Sequence, residues 1–163
     1  MREKAVRGNV GENLVAGILD ALGFEVDFVD ASGIDLMCYK TDENKVYGVS
    51  VKTREVERKG NSSINLTSND ILYPEKSTKL RNENAETLYA FVVYSFSEID
   101  VMICTQEYVY EKIGIHSRED YLEYGNSATK GFPIAKDDRQ MWGKLYKNKE
   151  EGILFAASYI QKN

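Results

Sequence analysis

The sequence predicts an α/β protein in which a central mixed sheet is flanked by helices. Three observations carry that expectation. Val10, Leu14, Val15, Ile18, Leu19 and Leu22 recur at helical spacing. Three strand-like runs follow in close succession, from Phe24 to Lys52. Two later runs, TLYAFVVYSF over 87–96 and IDVMICT over 99–105, are apolar almost without interruption, as strands covered on both faces are.

Length and composition set the bounds. At 163 residues the chain is the size of one domain, expected to span 1–163, and large enough to bury a core. Its 42% hydrophobic and 29% charged residues are ordinary for a globular protein. No stretch approaches the roughly 20 apolar residues of a membrane span. The Met-Arg-Glu-Lys start lacks the apolar run of a signal peptide, so a cytoplasmic protein with no membrane partner is expected. Cys38 and Cys104 each lie within an apolar run and read as buried and reduced. The net charge of -5 gives no overall attraction to a polyanion. Any nucleic-acid contact must therefore come from a local basic patch or a bound metal.

The first helix is expected over 9–23, with Gly23 as its stop. Glu12 lies off the apolar stripe and has two readings. As the partner of an Asn9 cap it closes a capping box; as an inward acid it serves a site further along. Phe24 to Asp30 alternates Phe24, Val26 and Phe28 against Glu25 and Asp27, which predicts a strand. Asp27 and Asp30 read as its solvated face. Ala31-Ser32-Gly33 then leads into a hairpin, giving a three-strand meander expected at the centre of the sheet.

That hairpin, Gly33 to Arg54, concentrates the chemistry. Thr41-Asp42-Glu43-Asn44 is its turn, and symmetric folding pairs residues whose numbers sum to about 85. Asp35 then opposes Ser50, and Lys52 points to the same face on the diagonal. Val49 and Val51 point the other way, into the core. A strand gives up packing energy to carry a carboxylate and an ammonium, which marks Asp35 and Lys52 for a metal and phosphate site. The bland alternative is an Asp35–Lys52 ion pair that only fixes the register.

Beyond Lys52 the chain turns polar, from Thr53 to Ser63. Arg54 continues the Lys52 face by the period of two, and Arg58 and Lys59 add positive charge suited to phosphate contact. Glu55 and Glu57 are nearby acids. A helix is expected within 68–86, with Pro74 in its first turn and Leu80 and Ala85 on its apolar face. The last third predicts a short helix from Ser117 to Tyr124, a loop over 126–131 and a helix over 137–146 presenting Met141, Trp142 and Leu145. It ends in an edge strand over 152–160. His116, alone of its kind, is assigned no role. The tyrosines around Tyr108 and Tyr121 read as covers for the core.

An early helix with Glu12, then Ser32-Gly33-Ile34-Asp35-Leu36 on a strand, then Ser50-Val51-Lys52 on the next, resembles the PD-(D/E)XK nuclease superfamily. Its members have the restriction-endonuclease-like and Holliday-junction-resolvase-like fold. The resemblance covers about the first two thirds of the chain and implies a core of helix, three-strand meander, helix and strands. It implies that Asp35 and Glu12 ligate Mg²⁺ or Mn²⁺ and that Lys52 positions or activates the attacking water. It also implies a nucleic-acid partner, DNA ahead of RNA, contacted by Lys52, Arg54, Arg58 and Lys59, and admits a homodimer. Ser50 departs from the pattern, standing where the family usually has Asp or Glu; some branches move that acid to a neighbouring element. A neutral hydroxyl is a weak ligand for a hard cation. The expected function is therefore metal-dependent phosphodiester hydrolysis, with Ser50 holding a water in the metal's shell. The alternative is a degenerate fold that binds nucleic acid or protein without cutting.

Overall fold

A computed structural model describes residues 2–56, 62–115 and 129–161. Six strands form the main sheet in the order β1 (Glu25–Ala31), β2 (Ile34–Lys40), β3 (Lys45–Glu55), β5 (Glu86–Tyr94), β6 (Glu98–Thr105) and β8 (Ile153–Ile160). Every neighbouring pair is antiparallel except β3 and β5, which run parallel. Between those two the chain makes a crossover through β4 (Ser63–Thr67) and α2 (Ser68–Arg81). β4 pairs with β7 (Thr129–Pro133) in a separate two-stranded ribbon. The remaining helices are α1 (Arg2–Ala21), α3 (Gln106–Ile113) and α4 (Lys136–Lys147). The sheet is mixed and flanked by helices, as predicted, although the meander forms one flank rather than the centre. None of the described helices is long and apolar enough to cross a membrane.

Both faces of the sheet are buried. Leu36, Val49, Leu88, Ala90 and Val101 pack against Val15, Ile18 and Leu19 of α1. On the other face Tyr89, Phe91, Val93 and Met102 meet Ile71 of α2, Val109 of α3 and Trp142 of α4, together with Phe132 of the ribbon. Phe132 lies parallel to Phe91, their ring centroids 3.9 Å apart. This continuous burial explains why β5 and β6 read as unbroken apolar runs. Cys38 and Cys104 are free and buried, and burial pushes the Cys38 thiol up to about 12.

The hairpin folds in the predicted register: Leu36 faces Val49 and Lys40 faces Lys45 across a 3-10 turn closed by Asn44 in the left-handed region. Other expectations fail for local reasons. Asn9 is no cap, because α1 begins seven residues earlier and Asn9 sits inside it. Phe28 is 57% exposed, since β1 is the edge strand of the sheet. Gly131 belongs to strand β7 rather than to a loop. Strands β4 and β7 were hidden because each finds its partner more than sixty positions away.

α2 departs most from expectation. It starts at a capping box in which Thr67 accepts from the Asp70 N–H and the Asp70 side chain accepts from the Thr67 N–H. Pro74 is inside the helix rather than in its first turn. A proline there orphans the carbonyl four residues earlier, that of Asp70. The Tyr89 hydroxyl, reaching up from β5, donates to that carbonyl at 2.8 Å. Leu80, expected on the apolar face, is exposed because it lies on the side of the helix away from the buried Ile71, Pro74 and Thr78.

Candidate functional site

Asp35 stands at the start of β2 and is half-buried. The Val51 N–H donates to its Oδ2 at 2.8 Å, which ties the acid to β3 one residue before Lys52. Ser50, 1% exposed, precedes Val51 and pairs with Tyr89 on β5. Lys52 is next on that face, and its Nζ lies 2.7 Å from Asp70 Oδ1 at the start of α2. The Asp35–Lys52 ion pair is therefore not formed: Lys52 turns to Asp70 and Asp35 turns elsewhere.

Asp35 turns to Glu12. Gly11 of α1 lies against β3, where an added Cβ would fall 2.0 Å from Thr53 Oγ1. That close approach brings Glu12 into a hydrogen bond with Asp35. Two carboxyls can share such a bond only if one holds a proton. Burial first, and then the Asp35 charge and hydrogen bond, push Glu12 up to about 7. Glu12 is thus no cap residue; it is half of an acid pair.

Asp70 is the residue that sequence reading missed. Burial alone would raise its carboxyl, but the Lys52 ammonium, the Thr67 N–H and the Thr67 hydroxyl outweigh it and hold the group below its ordinary value. The Thr67-x-x-Asp70 capping signature was visible and would have started the helix correctly. Nothing in the sequence ties it to Lys52.

The Ser32-Gly33 turn seats this corner. Gly33 has φ +88°, and a Cβ there would lie 2.6 Å from the backbone of Tyr73 and Pro74. Ser77 Oγ donates to the Ser32 carbonyl beside it. Arg54 is half-buried, two residues beyond Lys52, and its buried Nε has no hydrogen-bond partner among the described residues. Asp27 and Asp30 are exposed on β1. Glu57, Arg58, Lys59, His116 and the 117–124 segment lie outside the described residues.

The donor set suits a hard cation. Glu12 and Asp35 offer neighbouring carboxyl groups, and a divalent ion there would offset the repulsion between their charges. Among the described residues no three acid, histidine or cysteine side chains gather as a metal cluster. Mg²⁺ accepts such a site, because it keeps several waters and takes only one or two carboxylates.

The backbone arrangement has a solved counterpart. A Holliday junction resolvase from the archaeal hyperthermophile Archaeoglobus fulgidus superposes with a TM-score of 0.50 at 13% identity, covering 82% of this chain and 88% of that one. The chain has the restriction-endonuclease-like fold. No protein-family model and no curated protein matches its sequence. At this identity the likeness concerns the fold, and the chemistry rests on the residues above.

Proposed function

We propose that the chain is a divalent-metal-dependent nuclease that hydrolyses a nucleic-acid phosphodiester, DNA in preference to RNA, with 1–163 acting as one nuclease domain. The observation that carries this reading is the Glu12–Asp35 acid pair beside a lysine held at its own carboxylate. Glu12 and Asp35 hold Mg²⁺ or Mn²⁺. Bound there, the cation supplies a polarised phosphate and a water of lowered pKa. Lys52 contributes charge and orientation. Asp70 occupies one of its three N–H donors and fixes the ammonium, which leaves two for the attacking water and a phosphate oxygen. Asp70 thus serves Lys52 rather than the cation, whose shell water would complete where Ser50 stands in place of an acid. Ser50 holds a water between them, and Arg54 extends the positive face along the strand.

Mn²⁺ titration tests the site. Wild type should bind one or two ions, with Asp35→Asn and Glu12→Gln each weakening binding at least tenfold. Lys52→Ala should bind Mn²⁺ normally yet lose cleavage. A second reading, a degenerate module that binds without cutting, draws on the neutral Ser50. Absence of Mn²⁺ binding by wild type would favour that module and defeat the enzyme.

A further inference from the structure

Tyr73 is a large aromatic at the rim of the acid corner with no structural task that accounts for it. It is 44% exposed and takes part in no hydrogen bond or ring contact with another described residue. It follows Asp70 by three positions on α2, so the two side chains project from the same side of the helix, with Cβ atoms roughly 5–6 Å apart. On its other flank, the Tyr73 Cβ lies 2.7 Å from where a Cβ on Gly33 would stand, and Gly33 is two residues from Asp35. The Gly33 turn and the Ser77–Ser32 bond fix the backbone beneath it, so the ring stands on a rigid base.

We propose that Tyr73 is a stacking platform for the base of a nucleotide beside the cleaved phosphate. This rests on the nuclease reading and adds the form of its substrate. A base offers its face to a tyrosine only when it is unpaired or splayed from its neighbours, so the favoured substrate is a strand with an unpaired nucleotide at the scissile bond. The charge balance supports the same assignment. With a net charge of -5, the chain as a whole has no electrostatic attraction for a polyanion. Stacking is sequence-tolerant and needs no charge, and it supplies affinity where the electrostatics do not.

The test uses the full-length Asp35→Ala protein, so that binding is read without cleavage, and measures fluorescence anisotropy of a labelled DNA single strand and of the same sequence as duplex. Tyr73→Ala in that background should weaken single-strand binding about tenfold, and Tyr73→Phe should not. Duplex binding should change less than about twofold. An abasic site scanned along the strand should weaken binding to the Tyr73 protein at one position and leave the Tyr73→Ala protein indifferent there. A merely structural tyrosine would not produce that pattern. Single-strand and duplex binding that are both insensitive to Tyr73→Ala would overturn the stacking role and leave the nuclease reading standing. Failure to bind either DNA would defeat both.

Discussion

Lys52–Asp70 and Arg139–Asp100 project from the same face of the six-stranded sheet, yet one pair is buried and the other is partly open to solvent. Asp100, 1% exposed, accepts from Arg139 Nη1 at 2.6 Å and from the Ser158 hydroxyl, and Arg139 Nε donates to the Ile134 carbonyl at 2.9 Å. Burial, followed by the Asp100 charge, raises the neighbouring Glu98 carboxyl. This network pins α4 to strands β6 and β8, with Arg139 and Asp100 both buried away from any ligand. Lys52 and Asp70 keep 24% and 28% of their side chains exposed, with the Glu12–Asp35 pair at hand. The difference between the two pairs is burial: the Arg139–Asp100 pair is closed off from solvent, whereas the Lys52–Asp70 pair is partly open to it beside the Glu12 and Asp35 carboxyls.

The contrast can be broken by substitution. Arg139→Met leaves Asp100 buried without its counter-charge and should cost about 3–5 kcal/mol, seen as a large fall in the urea midpoint. Replacing Asp100 and Arg139 together with apolar residues should recover most of that loss. Asp70→Ala removes half a capping box and the lysine's partner, and should cost about 1–2 kcal/mol while depressing cleavage far more than stability. Lys52→Met should cost less than about 1 kcal/mol, since the pair is half in water, yet abolish cleavage. If Lys52→Met proved as destabilising as Arg139→Met, the two pairs would be the same kind of object.

Acidity sharpens the comparison further. Glu12 is raised from its ordinary value to about 7, so the folded state holds a proton there that the unfolded chain releases. The stability it contributes is complete below about pH 4.5 and is lost as pH rises through about 7. Asp70 has the opposite sign: held low, it contributes stability at neutral pH that is lost in acid. Glu12→Gln should therefore flatten the fall in thermal midpoint between pH 5 and 8. Mn²⁺, which competes with the shared proton, should stabilise wild type more at pH 8 than at pH 5.5.

What the sequence revealed and what it hid divide along a physical line. The hairpin register was legible because Thr41–Asn44 is a local turn and period-two alternation propagates from it, as far as Leu36 opposite Val49. The apolar runs of β5 and β6 were legible because both faces are covered. Pro74 misled, since its cost inside α2 is offset by the Tyr89 hydroxyl, which meets the Asp70 carbonyl from 19 positions away and which no local rule names. Asp70 was hidden in the same way: its helix cap is local, but its ion pair with Lys52 closes only when α2 folds back over β3. Glu12 had two local readings, and only the close approach of α1 at Gly11 chose between them.

The most direct measurement is cleavage of a panel of single-stranded, duplex and branched DNA and RNA in Mn²⁺ and in Mg²⁺, by wild type and by Asp35→Ala purified in the same way. Cutting that requires both the metal and Asp35 is the predicted result, and it would show that the corner works without an acid at position 50. Cutting that survives Asp35→Ala, or a wild type that binds Mn²⁺ and leaves every member of the panel intact, would contradict the account.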